Sequence, residues 1–488
     1  MEFSTLILAA GAGTRMKSER PKVAHELLGK PLVRWVIDAA QAAGSTRTLT
    51  VVGHQREQVI PLVDDTTIVV QEERLGTGHA VMVARAALEK TGATPAVTAP
   101  PAATAPPAPA PAAAVPAAQS LVVLNGDTPL ITAATIAELV ALQQDRGAAA
   151  CVLSCELDDP SNYGRIIRDE AGEVLGIVEE KDATPAQRAI TEVNSGAYCF
   201  DLAELLGSLN TLSNKNAQNE YYLTDVLGIL VGAGKQVCAH CIEDADELMG
   251  INSRAQLAQA TKAMQRHINE RHMAAGVTML DPDLVWIGAD VTLQNDIELL
   301  PMTILYGQTS VGSGSVLGPN TRVIDSTVGR DCVIDESVVL GAVLHDKVSV
   351  GPRAYLRLGT LMKTGSKAGT HVEIKNSTIG ENSKVPHLSY MGDATLGVDV
   401  NIGAGSITCN YDGTAKNPTL IGDRSFVGSD TMFVAPVQLG ADVVTGAGSV
   451  ITKDVPAGAL AIERSSQRTV ADWVAQHSKR DKEKPQLD

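Results

Sequence analysis

Gly11-Ala12-Gly13-Thr14-Arg15-Met16 follows directly on an apolar, β-rich run from Phe3 to Ala10. A strand that opens into glycine-rich backbone presents N–H groups close together, which suits a phosphate. Arg15 and Lys22 stand just beyond and could neutralise phosphate charge. The loop is not a dinucleotide fingerprint, because Met16 stands where the third glycine belongs, and not a P-loop, because Gly-Lys-Ser/Thr is absent. Taken alone, it could be an ordinary glycine turn. A second signal, Asn125-Gly126-Asp127, closes another apolar run from Leu121 to Leu124. An aspartate at a strand end beside a phosphate loop suits Mg²⁺, a hard cation that takes carboxylate and phosphate oxygens. It could equally cap a turn. Asn162-Tyr163-Gly164-Arg165, the segment 176–181 and Val193-Asn194-Ser195-Gly196 set polar groups beside apolar strands, where they could line a sugar pocket or face solvent. Cys238 and Cys241 have C-x-x-C spacing with no second pair, so buried packing is the simpler reading.

These residues need elements to bring them together. An amphipathic stretch from Leu32 to Ala43 precedes an apolar strand, Leu49 to Val52. A further strand, Ile68 to Gln71, leads into Leu75-Gly76-Thr77-Gly78-His79 and another helix. Such alternation predicts an α/β domain with a mostly parallel sheet. Ligands of such sheets bind beyond the carboxyl ends of the strands. Gly11, Gln71 and Asp127 all fall at such ends, so topology makes them converge. Residues 92–119 interrupt the domain with little but Ala, Pro, Thr and Val, and read as a disordered or polyproline-like surface excursion. Residues 253–275 show helical periodicity and end at Gly276, as a connecting helix would.

Beyond that helix the periodicity changes. Ile421, Val427, Phe433, Leu439, Thr445 and Ile451 recur every six residues, with a glycine after four of them and Ser, Thr or Val four residues after each of the first five. Neither a helix nor an ordinary strand has this period. A parallel β-helix does: each face is one short strand, the marker and the small residue point inward, and glycine tolerates the corner dihedrals. The beat recurs at Val311, Leu317 and Val323, at Val328, Ile334 and Leu340, at Leu344, Val350 and Leu356, and at Leu396 and Ile402. The gaps at 358–378 and 409–420 imply inserted loops, where function tends to sit.

Composition limits the reading further. Fifty-six acidic against 40 basic residues give a formal charge of −16, which argues against a general nucleic-acid or anionic-membrane binder. Any phosphate must then be held by local cations and backbone N–H groups. Aromatics make up only 3% of the 488 residues, which suits thin coils with no room for large rings. Seven scattered cysteines and no evident leader or membrane-spanning run point to a reducing cytoplasm.

The glycine loop from Leu8 to Met16, Lys22, Gln71 with Gly76-Thr77-Gly78-His79-Ala80, Asn125-Gly126-Asp127 and a hexapeptide β-helix occur here in one chain. Ser383-Lys384-Val385-Pro386-His387-Leu388-Ser389-Tyr390 and Asn401-Ile402-Gly403-Ala404-Gly405, then Asn410-Tyr411-Asp412-Gly413, join them. Together they resemble the bacterial family of bifunctional N-acetylglucosamine-1-phosphate uridylyltransferase/glucosamine-1-phosphate N-acetyltransferases. The resemblance covers nearly everything except 92–119 and the tail after about 466. It implies an α/β Rossmann-like nucleotidyltransferase domain (1–252), a linker helix (253–275), a left-handed parallel β-helix acetyltransferase domain (276–466) and a C-terminal tail (467–488). The implied activity makes UDP-N-acetylglucosamine by acetylation with acetyl-CoA and then uridylyl transfer from UTP.

By the same resemblance, Leu8, Ala9, Ala10, Gly11, Arg15 and Lys22 meet the UTP phosphates. Gln71, Gly76 and Thr77 meet the uracil; Asn125 and Gly126 complete the nucleotide site; Gly164, Glu179 and Asn194 hold the sugar; Asp127 and Asn252 hold Mg²⁺. In the β-helix, Arg357, Lys375, Tyr390 and Asn401 match sugar-phosphate contacts and His387 the catalytic base. An amine attacking a thioester must shed a proton, which histidine can take near neutral pH. Ala404, Asn410, Tyr411, Ser429, Ala447 and Arg464 match acetyl-CoA contacts, several of them shared between subunits of a homotrimer. Asn125 stands where Tyr is frequent, and Leu358 where Pro is frequent, which bears on how rigidly Arg357 is held. His371 reads as structural or solvated. A repeat domain serving only as a scaffold is the alternative, but solenoid packing needs none of His387, Lys375 or Asn410-Tyr411.

Overall fold

The computed structural model describes residues 2–90 and 119–477. The expected surface excursion at 92–119 lies outside the described residues but for Gln119, as does the end of the tail. The chain forms two compact units, Met1–Ile268 and Asn269–Asp488, and the helix Arg254–Ala274 spans the point of division.

In the first unit the strand Phe3–Ala9 sits mid-sheet, paired in parallel with Ser45–Val52 on one side and Ser120–Asn125 on the other. Thr67–Val70 adds a further parallel strand. The long strand Glu192–Asp201 runs antiparallel between Ser120–Asn125 and Ala150–Glu156. Side chains alternate across a strand, and here they feed two cores. Phe3, Ile7, Val122 and Leu124 pack against the helices Leu32–Ala42 and Ala133–Arg146. Leu6, Leu121 and Val123 pack on the other face against Thr77–Leu88 and Asp225–Gly232. Each face is thus covered by helices, as a mostly parallel sheet requires.

The second unit is a left-handed parallel β-helix. Its short strands stack into three parallel sheets in which every third strand pairs, so Thr419 lies beside Val437. The inward markers Val427, Phe433 and Leu439 are buried, as are the small residues Ser425, Thr431 and Ser449. Three expectations need correction. Val339, not Leu340, points inward on its strand, because the coil there has lost a residue relative to a strict beat of six. Residues 358–378 hold no inserted loop: Met362, Ala368, Ile374 and Ile379 continue the inward column, and two of them lack the branched aliphatic signature that marks it elsewhere. Finally, the glycine after each marker is not there for its dihedrals. A side chain at Gly428 or Gly440 would strike the backbone of the next coil. The left-handed corner falls two residues later, at Arg424, Asp430 and Asp442.

The gap at 409–420 is a true excursion. Thr395 pairs with Leu420, twenty-five residues on, where a regular coil such as Thr419–Val437 advances eighteen. It is closed by a bridge between Tyr411 and Lys416.

Phe433 is fully buried among inward residues of neighbouring coils. Phe433→Ala should destabilise the β-helix unit by about 3–5 kcal/mol, the usual cost of an aromatic cavity. Denaturation monitored by loss of β-signal should show it; an unchanged midpoint would mean that the coils do not share a cooperative core.

Candidate active sites

At the carboxyl end of the central parallel strands of the first unit lies a cavity of about 490 Å³. Leu8, Ala10, Gly11 and Lys22 line one side, Gln71, Gly76 and Thr77 another, and Asn125 and Asp127 a third. Three segments distant in sequence therefore meet where the topology demanded. Ala9 does not reach the cavity; it packs into one core of the sheet. Gly126 is used in the backbone, its N–H donating to the Leu8 carbonyl at 2.9 Å. Arg15 lies exposed on a short 3-10 turn and is not among the lining residues. Arg74 and Glu220 do line the cavity, and no motif marked them.

Two glycines are explained by close approach. Gly76 has φ 105° and a Cβ there would meet the Tyr221 carbonyl at 2.5 Å. Gly13, at φ 59°, packs against the stem of Lys22, where an added Cβ would lie 2.5 Å from the lysine Cβ. The buried amide of Gln71 donates towards the Gly76 carbonyl (3.3 Å) and meets His79 Nδ1 at 3.0 Å.

Lys22 forms an ion pair inside the cleft. Its ammonium donates to Asp127 Oδ2 and, at 2.9 Å, to Asn252 Oδ1. The side chains of Lys22 and Asp127 are each 14% exposed. The Asn252 amide is turned to present its oxygen, because its nitrogen donates to the Gly250 carbonyl at 3.3 Å.

A smaller cavity of about 210 Å³ shares Leu8, Thr77 and Asn125 with the first. Gly164, Glu179 and Asn194 all line it, as do Asn162, Ser195 and Thr224. Asn194 is locked: its amide donates to the Tyr198 hydroxyl at 2.8 Å and its oxygen accepts from Gly196 N–H at 2.9 Å. Burial raises the Glu179 carboxyl above its usual range, against the opposing hydrogen bond from Thr224 Oγ1 at 3.2 Å.

In the β-helix, parallel pairing carries residues of successive coils into columns. Glu373 pairs with Tyr390 and Lys375 with Gly392; Tyr390 in turn pairs with Ile407, three residues before Asn410. Arg357 stands one coil earlier and donates to Glu373 Oε1 at 2.7 Å, so Leu358, exposed to solvent, leaves it held. The Tyr390 hydroxyl and the Asn410 amide converge over Gly392, in space that a side chain there would fill. Asp393 accepts from Asn376 and from Asn410 at 2.5 Å each. Lys416, first, and then Arg357 press Lys375 below the usual lysine range. Asp393, Asn376 and Lys416 line a cavity of about 340 Å³ beside this cluster, and no motif singled them out.

A neighbouring sheet holds His387 at the end of Lys384–His387, exposed, with Asn401 paired to Lys384 on the next coil. Of the predicted acetyl-CoA contacts, Ala404, Ser429, Ala447 and Arg464 form their own column, apart from Asn410 and Tyr411. Ala404 O accepts Asp430 N–H at 2.7 Å, Ser429 O accepts Gly448 N–H at 2.8 Å, and Arg464 donates to Ala447 O at 2.9 Å. Tyr411 is exposed on the excursion, its hydroxyl donating to Gly413 O. His371 is exposed at φ 56°. Cys238 is buried as expected, but Cys241 is exposed, since strand alternation turns it to the opposite face.

Two family models match. Residues 5–192 match the MobA-like NTP transferase domain, and residues 418–453 the hexapeptide repeat of succinyl-transferase. A bifunctional protein GlmU from Heliobacterium modesticaldum is 47% identical over 98% of this chain and 98% of its own. Counterparts of that name from Caldanaerobacter subterraneus subsp. tengcongensis (46%, 98% of this chain and 99% of its own) and Carboxydothermus hydrogenoformans (47%, 96% and 99%) agree. The chain belongs to the bifunctional GlmU family. It is a two-part transferase, a nucleotidyltransferase joined to a hexapeptide-repeat acyltransferase.

Burial works to raise the Asp393 carboxyl, but the Asn376 and Asn410 hydrogen bonds and the charges of Lys416 and Lys375 outweigh it and hold the group below its usual range. A depressed carboxylate contributes stability above its unfolded pKa and loses it as pH falls through the folded one. Asp393→Asn should therefore be less stable than the parent at neutral pH, and the gap should close below about pH 4, the ordinary aspartate range. Denaturant midpoints across that range check this; a gap independent of pH would assign the loss to packing.

Proposed function

We propose that the two sites serve consecutive steps: the β-helix acetylates glucosamine-1-phosphate with acetyl-CoA, and the α/β unit then transfers UMP from UTP to the N-acetylglucosamine-1-phosphate, releasing pyrophosphate. The product is UDP-N-acetylglucosamine. The observation that carries the reading is the cluster of Arg357, Lys375, Asp393 and Asn410 across adjacent coils. A solenoid that only holds subunits together gains nothing from opposed charges there, because exposed ion pairs contribute little to stability.

In the α/β unit the sugar seats against Gly164, Glu179 and Asn194, and the locked Asn194 presents a fixed donor–acceptor pattern. The nucleotide takes the larger cavity, with Gln71, Gly76 and Thr77 at the base and the Gly11 loop at the phosphates. Because the two cavities meet at Leu8, Thr77 and Asn125, the sugar phosphate can approach the α-phosphorus in line. Asp127 and Asn252 fit Mg²⁺: both offer hard oxygens, and a cation already lies between them, the Lys22 ammonium. Mg²⁺ bound there would neutralise charge on the phosphates. Lys22 and Arg15 supply the remaining positive charge as pyrophosphate departs.

In the β-helix, Arg357 and Lys375 bind the phosphate of the amino sugar, and the crowding of Lys375 by Lys416 favours any anion placed between them. Tyr390 and Asn401 orient the sugar, and His387 accepts the proton that the amine loses as it attacks the thioester. Acetyl-CoA lies along Ala404, Ser429 and Ala447, with Asn410, Tyr411 and Arg464 as its polar contacts. The sheet that carries His387 continues into an outward apolar ladder of Phe426, Val444 and Leu460, all exposed in one chain. Such a ladder supports assembly as a homotrimer through the β-helix, with sites shared between subunits. Among the described residues no helix is long and apolar enough to cross a membrane. The substrates are those of the cytoplasm, where we place the enzyme. In these terms 1–252 is the uridylyltransferase, 253–275 the linker, 276–466 the acetyltransferase and 467–488 a tail.

Incubation with glucosamine-1-phosphate, acetyl-CoA, UTP and Mg²⁺, following free thiol and pyrophosphate, tests the whole sequence. His387→Ala should abolish thiol release while uridylyl transfer to added N-acetylglucosamine-1-phosphate persists. Asp127→Ala should do the reverse. Acetylation by His387→Ala at the parent rate would remove histidine as the base, and an unaltered UTP reaction in Asp127→Ala would remove the aspartate from the metal site.

A further inference from the structure

Lys22 occupies the place that the reading above gives to the metal. Its ammonium lies between Asp127 Oδ2 and Asn252 Oδ1, residues 105 and 230 positions away in sequence. The pair is largely withdrawn from water. Its Cβ is fixed in place, because Gly13 packs against it and the residue opens a short 3-10 turn behind Pro21, while the ammonium sits at the end of a flexible four-carbon stem. The ammonium can therefore exchange partners by a change of rotamer without leaving the cleft.

We infer that Lys22 is a resident counter-ion that excludes free divalent metal from Asp127 and Asn252 until a polyphosphate arrives to take the lysine over. The inference rests on the assignment of Asp127 and Asn252 as metal ligands. With the lysine in place the carboxylate is already neutralised. A divalent ion entering alone would break that pair and leave the ammonium partly buried beside a second cation, which costs more than either ion gains. The described residues offer no cluster of three or more His, Cys, Asp or Glu side chains that could compensate. When the ion enters with a polyphosphate, the displaced ammonium meets phosphate oxygens on the same wall of the cavity, which Lys22 lines together with Gly11. Metal and nucleotide then bind with positive coupling, and by linkage each strengthens the other. The device keeps the cleft from holding an unproductive ion.

Binding of Mn²⁺ to the full-length chain without nucleotide, followed by the electron paramagnetic resonance of the free ion, tests this apart from turnover. Lys22→Met should bind Mn²⁺ more tightly than the parent, by about tenfold or more, since the loss of a competing cation from a withdrawn carboxylate is worth at least that factor. Lys22→Gln should shift the same way, and Lys22→Arg, which retains a cation, should keep the weak parental affinity. Should Lys22→Met fail to fold, the Gln and Arg variants decide between the outcomes. Affinity unchanged or weakened in Lys22→Met and Lys22→Gln overturns the inference, provided that Asp127→Asn abolishes Mn²⁺ binding. If Asp127→Asn binds Mn²⁺ as the parent does, the metal assignment itself falls, and the inference with it.

Discussion

Parallel pairing of backbone strands is the constraint that most of the candidate site residues depend on, and it acts differently in the two units. In the α/β unit, four successive strands of the sheet run the same way, so their carboxyl ends open along one edge. Gly11, Gln71 and Asp127 follow those ends and face one cavity. In the β-helix the same hydrogen bonding stacks successive coils, so residues about eighteen apart become neighbours and functional groups gather in columns instead of along an edge. Glu373 beside Tyr390 and Lys384 beside Asn401 are products of register alone.

The chain resolves its electrostatic conflict locally. A protein of formal charge −16 that handles phosphates repels them at long range. Each site therefore concentrates cations where carboxylates hold them in position. Lys22 rests on Asp127, and Arg357 on Glu373. Burial separates the two. The Arg357–Glu373 pair is more than a third exposed on both sides, so it orients the guanidinium and adds little stability. The Lys22–Asp127 pair is withdrawn, so the cost of breaking it depends on what replaces either partner.

Much of this was legible in the sequence. Periods of six and strand–helix alternation are properties of local burial, and Phe433, Val427 and Leu124 sit inside as the patterns require. Gly164, Glu179 and Asn194 were singled out as sugar contacts only through the family resemblance; strand pairing brings their segments together around one cavity. What stayed hidden depends on contacts that pattern does not encode. Met362 and Ala368 fill inward positions as well as valine does, so a regular coil looked like an inserted loop. The glycines of the repeat answer to the coil below and not to their own dihedrals. Arg74, Asp393 and Lys416 belong to no short motif, and the partnership of Lys22 with Asn252 spans 230 residues.

The excursion at 409–420 shows how a solenoid acquires chemistry at small structural cost. A coil that must stack on both neighbours cannot change its inward residues, because Thr408 and Phe433 are in direct register across it. A loop leaving at a corner escapes that restriction, and the entropy of closing a few added residues grows only slowly with length. The seven residues gained between Thr395 and Leu420, relative to a regular coil, bring Lys416 back over the coil that carries Lys375. Asn410, at the start of the loop, is still buried and tied to Asp393. One end of the excursion is thus anchored to the rigid stack while its far side adds a cation. Two like charges pressed together in this way are unfavourable on their own; Asp393 offsets part of that cost, and an anion entering between them would offset more.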